Sequence, residues 1–100
     1  MAKLSRHSTH GTSFFNTTIT TSVNELIRVL GEPQYEDNTG EDKTNFDFVC
    51  ETDEGDIFTI YDWKYYRPIE KDEIIEFHIG GRASHITQRA RIELLILLAK

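Results

Sequence analysis

The sequence predicts an α+β domain: a twisted antiparallel β-sheet with a short helix in its N-terminal half and a longer C-terminal helix, assembled as a homo-oligomer. Three observations lead there. Segments rich in β-branched and aromatic residues lie at 13–21, 46–51, 57–63 and 74–79, and those at 46–51 and 74–79 alternate with period two. A short amphipathic stripe, marked at both ends, lies between the first two of them. A run of aliphatic residues at helical spacing closes the chain. One hundred residues suit one domain with a modest core. Residues 1–12 are polar and read as a flexible lead, leaving 13–100 as the domain.

Taken in order, Phe14 to Thr21 reads as a strand because β-branched and aromatic side chains suit a pleated surface. Ser22 and Glu25 have the spacing of a capping box, in which the hydroxyl takes the Glu25 amide and the carboxylate returns to Ser22. Val23, Leu26, Ile27 and Leu30 form the apolar stripe of the helix they open, and Gly31 with Pro33 ends it. Tyr35 to Lys43 is an acidic loop. The next strand, Phe46 to Glu51, leads into Asp53-Glu54-Gly55, read as a turn with Gly55 in a left-handed bulge position. That register sets Cys50 opposite Phe58 and Phe48 opposite Ile60. Phe46, Phe48, Cys50, Phe58 and Ile60 then share the core face, and Ile57, Thr59, Tyr61 and Trp63 the other. Pro68 interrupts any ladder across 64–72. Ile75, Phe77 and Ile79 continue the core, with Glu76 and His78 opposite.

The last helix, from Ile86 to about Lys100 with Ser84 or Thr87 as its cap, carries two apolar arcs. Ile86, Ala90, Leu94, Leu97 and Leu98 cover the sheet. Ile92, Leu95, Ile96 and Ala99 have nothing left to pack against in a domain of this size, and a second copy of the chain is the simplest cover.

The formal charge of −6 and pI near 5.1 argue against sequence-independent binding to a phosphate backbone, which requires a basic surface. They leave room for a small phosphorylated ligand, which needs only two or three local cations. Cys50 is the single cysteine, so no internal disulfide forms, and it is expected to point inward, where a thiol is inert. No apolar run approaches the ~20 residues that span a bilayer, and a cytoplasmic location is expected. The four histidines complete no zinc set. No nucleophile motif appears, so catalysis is the weaker reading, and no cofactor is expected.

Two features remain for binding. Gly80 and Gly81, followed by Arg82 and a helix start at Ser84, read as a bend offering bare amides and a guanidinium to an anion, with Arg89 nearby. The run Tyr61-Asp62-Trp63-Lys64-Tyr65-Tyr66-Arg67 alternates rings with cations, which suits stacking on a nucleobase while the cations meet phosphate. Trp63 is equally suited to a second core layer. His78, beside the glycines, is a further candidate contact, although a histidine there is more often structural.

Thr59-Ile60-Tyr61-Asp62-Trp63-Lys64 and His78-Ile79-Gly80-Gly81, with Leu30-Gly31-Glu32-Pro33 and Gly11-Thr12, resemble a type of small protein encoded by bacteriophages. The likeness runs from about residue 10 to residue 90. It implies an immune-evasion factor of the kind that includes oligomeric sponges for cyclic nucleotide or cyclic ADP-ribose signals, acting in the host cytoplasm. Such proteins carry a longer glycine-containing insertion after the lysine, replaced here by Tyr65-Tyr66-Arg67-Pro68. From the glycine pair, the nearby arginines and the aromatic run, the expected ligand contacts are Tyr61, Trp63, Lys64, Tyr66, Arg67, His78, Gly80, Gly81, Arg82, Ser84 and Arg89. The rival expectation is an acidic inhibitor that docks on a host defence protein, the acids of 36–42 and 53–56 imitating nucleic-acid phosphates.

Overall fold

Alternation in the strand segments becomes one antiparallel sheet in the computed structural model, which describes residues Met1–Lys100. The elements are β1 (Lys3–Leu4), β2 (Ser13–Thr21), α1 (Val23–Leu30), β3 (Tyr35–Glu36), β4 (Phe46–Glu51), β5 (Ile57–Tyr61), β6 (Ile75–Gly81) and α2 (Ser84–Leu98). The strand order is β1-β4-β5-β6-β2, with β3 also paired to β4. The α+β class predicted from the sequence is therefore the observed one.

The central hairpin has the expected register. Cys50 faces Phe58 and Phe48 faces Ile60. Thr52 N–H donates to the Asp56 carbonyl at 2.9 Å, and Gly55 takes φ 86°, where a side chain would be strained. One face of the sheet is the core. Phe46, Phe48, Cys50, Phe58, Ile60, Phe77 and Ile79 are fully buried there with Leu26 of α1 and Ala90 and Leu94 of α2. Ile69 joins them from the segment that Pro68 interrupts, so this irregular stretch is anchored by one apolar side chain.

At the start of α1 the Ser22 hydroxyl accepts the Glu25 amide at 3.2 Å. The return half of the capping box is replaced by an ion pair, because the Glu25 carboxylate takes the Arg28 guanidinium at 2.7 Å. The sequence expectation for α2 needs a larger correction. Its cap position is Ala83, with no side-chain capping bond, and Ser84 is already helical. Thr87 instead donates to the Ser84 carbonyl at 2.9 Å and meets the Thr17 hydroxyl at 2.8 Å, tying α2 to β2.

The glycine pair is a second correction. Gly80 and Gly81 make no bend: they are the last residues of β6, paired with Thr59 and Phe58 on one side and with Phe14 and Ser13 on the other. Their backbone groups run along a sheet that continues on both sides, so they belong to ladders rather than to a free anion seat. The reason for two glycines is space. A Cβ on Gly81 would come 2.9 Å from Thr87 Cγ2 and 3.4 Å from Ile86 Cγ2, so α2 lies against bare backbone there. A Cβ on Gly80 would come 3.0 Å from Thr59 Cγ2 on the opposite face.

Residues 1–12, read from sequence as a flexible lead outside the domain, are packed on it. Ala2 and Ser5 are buried, Lys3 and Leu4 pair with Glu51 and Cys50, and Ser5 N–H donates to the Val49 carbonyl at 2.9 Å. Polar composition concealed this because most of the segment's ties are made by its backbone.

Gly81→Ala should destabilise the protein by about 1–3 kcal/mol through overpacking against α2, read as a lower urea midpoint with an unchanged slope. Adding Thr87→Ser, which removes the clashing methyl and keeps the hydroxyl, should recover most of that loss.

Candidate functional site

Asp62 has no exposed surface. Its carboxylate accepts Asn45 N–H at 2.9 Å, Phe46 N–H at 2.8 Å and the Asn45 side-chain amide at 3.1 Å. Asn45 in turn donates to the Arg67 carbonyl at 3.0 Å and accepts the Gly40 amide at 3.1 Å. Asn38 completes the lacing, accepting Ile69 N–H at 2.7 Å and donating to the Ile69 carbonyl at 2.8 Å. The acidic loop after β3 and the segment after β5 are thus held together by the side-chain amides of buried Asn45 and half-buried Asn38. Lys64 N–H then donates to the Lys43 carbonyl at 2.7 Å, so the two chains leave the sheet side by side. This places Thr44 near Trp63.

Between them, on the sheet face away from the helices, lies a pocket of about 240 Å³. Gly80 and Thr59 form its floor, and Asp47, Tyr61 and Trp63 stand along it. Hydroxyls of Thr44 and of the N-terminal segment, at Thr9, Thr12 and Ser13, complete the lining. The missing Cβ of Gly80 keeps that floor open. Tyr61 and Trp63 meet edge to face, with ring centres 5.8 Å apart. His78 lies behind them, 5.5 Å from Tyr61 and stacked on Phe14 at 3.9 Å. The Lys64 and Lys43 ammoniums lie 5.6 and 5.8 Å from the Trp63 ring.

Asp47 is the one acid in the lining. The Thr59 hydroxyl, donating to Oδ1, is its single hydrogen-bond partner. No fully buried polar side-chain atom lacks a partner, so Oδ2, which makes no hydrogen bond, keeps accessible surface on a residue that lines the pocket. Burial pushes the Asp47 carboxyl above its ordinary value, the Thr59 hydrogen bond opposes this, and the Asp62 charge adds to it. Burial lowers the pKa of His78, with Glu76 pulling the other way, so His78 favours its neutral form. Burial and the Asp47 charge raise the Tyr61 phenol. The site therefore offers hydroxyls, two aromatic rings and one carboxylate oxygen, with two ammoniums beside one wall.

Of the residues singled out from sequence, Tyr61, Trp63 and Gly80 line the pocket, while Lys64 and His78 adjoin its aromatic wall. The others lie apart from it. Gly81 faces α2. Arg82 donates to the Ser8 and His10 carbonyls, both at 3.1 Å, holding the N-terminal segment in place. Arg67 is bound to Glu73, and Arg89 to Glu93 at 2.8 Å. Ser84 gives its carbonyl to Thr87, and Tyr66 is exposed outside the lining. Sequence reasoning missed Asp47, Lys43, Thr44 and the hydroxyls of 9–13. Asp47 was within reach, since the hairpin register that pairs it with Tyr61 puts it on the open face. Cys50 is buried with its thiol pushed far up by desolvation, which leaves it unreactive.

No protein-family model, curated protein or solved structure matches the chain.

Because the folded-state pKa of Asp47 is raised, the folded protein holds its proton more tightly than the unfolded chain does. Stability contributed by the neutral acid is present below the ordinary carboxylate range and is lost as pH rises through the raised value. Asp47→Asn should therefore melt higher than the wild type at pH ~7 and level with it at pH ~3, measured as melting temperature against pH. The difference between the two curves isolates Asp47 from the other carboxylates.

Proposed function

We propose that this chain is a non-catalytic binding protein that sequesters a small cyclic nucleotide signal, in the manner of a phage-encoded counter-defence factor in the host cytoplasm. The observation that carries this reading is the pocket: Tyr61 and Trp63 stand along a hydroxyl-lined cavity, with the Lys43 and Lys64 ammoniums over the Trp63 ring at 5.8 and 5.6 Å from its centre. A base entering against the rings leaves its phosphate near the ammoniums, so phosphate falls to these lysines rather than to the Gly80–Ser84 segment. At about 240 Å³ the pocket is below the ~300–1,000 Å³ usual for whole drug-sized ligands. It suits one base, with the rest of the ligand outside. Sequestration needs tight binding and slow release, for which no catalytic group is required.

The rival reading, an acidic mimic of nucleic acid, draws support from the charge of −6. It is the weaker one because several of its acids already meet cations: Glu36 with Lys71 at 3.6 Å, Glu54 with Arg89 at 4.0 Å and Asp53 with the Met1 amine at 2.5 Å.

Self-association belongs to the same proposal. Ile92, Leu95 and Ile96 of α2 are 55, 43 and 43% exposed, at the i, i+3, i+4 spacing of a helix seam and without a charge among them. A twofold axis makes such a strip self-complementary, so a second copy of this chain is what covers it. Sedimentation velocity should show an oligomer that Ile92→Glu with Ile96→Glu reduces to monomer, and a monomeric wild type would end this part of the proposal.

Calorimetry at micromolar protein against cyclic dinucleotides and cyclic ADP-ribose isomers should find at least one ligand that releases heat. Trp63→Ala should weaken that ligand by about tenfold or more through lost stacking. Absence of heat across the panel defeats the reading. Trp63 is the sole tryptophan, so its fluorescence gives an independent titration.

A further inference from the structure

We infer that the pocket selects a guanine-type base, read by the open Oδ2 of Asp47. The inference rests on the nucleotide-binding proposal and gives it a base preference. Asp47 stands on β4 opposite Tyr61, and the Thr59 hydroxyl on Oδ1 fixes its carboxylate. Oδ2 makes no hydrogen bond and keeps accessible surface, and Asp47 lines a pocket whose other side-chain polar groups are hydroxyls and the Trp63 indole N–H.

A fixed carboxylate oxygen with no partner asks for an N–H donor. Guanine presents two adjacent donors, N1–H and the exocyclic N2–H, on its Watson–Crick edge. Adenine presents one such donor, its N6 amino group, next to the N1 lone pair, which repels the carboxylate. Hypoxanthine has the N1–H and lacks the amino group. The hydroxyls of Thr9 and Thr44 both donate and accept, so they can serve the carbonyl and ring nitrogen of the same base, whereas the Thr12 hydroxyl already donates to the Thr9 carbonyl at 2.8 Å and is left as an acceptor. A cationic amine would also suit the carboxylate. The ammoniums of Lys43 and Lys64, both within 5.8 Å of the Trp63 ring, place like charge beside the same wall. A neutral ring carrying donors meets Asp47 without that repulsion.

The test is an NMR titration of isotope-labelled protein with guanosine, inosine and adenosine 5′-monophosphates, following the amides of β4, β5 and β6. Guanosine monophosphate should bind about tenfold or more tighter than adenosine monophosphate, in line with the discrimination of a good base-edge contact. Inosine monophosphate should fall between them. Asp47→Asn should bring guanosine and adenosine monophosphates within about threefold of each other, with native spectral dispersion retained. Thr59→Val, which releases the carboxylate and leaves its charge, should narrow the ratio in part. Equal binding of the guanine and adenine nucleotides by the wild type overturns the inference and leaves nucleotide binding standing. An unchanged ratio in Asp47→Asn overturns it as well. Silence with all three nucleotides overturns the inference, while the nucleotide reading stands or falls separately on the calorimetric panel of cyclic ligands. Guanosine monophosphate binding without any cyclic ligand keeps the base pocket and removes the signal.

Discussion

The buried carboxylate of Asp62 is the constraint on which the irregular half of the molecule depends. It answers the first amides of β4 and, through Asn45, fixes the backbone at Gly40 and Arg67. Each buried donor left without a partner costs about 1–3 kcal/mol, so its loss would be felt at several points at once. Because Thr44 and Trp63 sit one residue from Asn45 and Asp62, the same bonds that close the sheet's end also set the two walls of the pocket. Asp62 is thus a positioning group for Trp63.

Charge is distributed with a similar economy. The acidic total suggests repulsion, but most cations near the sheet are committed to specific acids or carbonyls: Arg28 to Glu25, Arg67 to Glu73, Arg89 to Glu93 and Arg82 to the backbone of Ser8 and His10. Arg91 covers an edge carbonyl of β2 at Thr18, at 2.9 Å. Exposed pairs of this kind contribute little each, typically up to about 1 kcal/mol. Their effect here is to position segments. Lys43 and Lys64 are the cations left beside the aromatic wall, while Asp47 pays for its place in the pocket with a disfavoured charge. A group that costs stability where it stands is a candidate for function.

The regular elements were legible in the chain. Alternation in 46–51 and 57–61, with the single glycine of the turn, is enough to set register, because a one-residue slip would turn Phe48 and Ile60 out of the core. The spacing of α2 foretold both its buried arc and the exposed Ile92, Leu95 and Ile96. The candidate site was only half legible. Tyr61 and Trp63 stood out as aromatic residues on the open face. Gly80 and Gly81 stood out for the wrong reason, since glycine marks a bend and a close approach equally well and only the neighbouring strands distinguish them.

By itself the sequence determined the fold class, the hairpin register, the core face and the absence of any internal disulfide, because periodicity, turn chemistry and cysteine count are local properties of the chain. Tertiary structure alone decided that residues 1–12 are tied to the sheet, that Arg82 serves them rather than an anion, and that Asp47 lines a cavity. Those facts depend on which distant backbone groups find each other. A carbonyl at Ser8 and a guanidinium at residue 82 are 74 positions apart, and nothing in either residue's type announces the meeting.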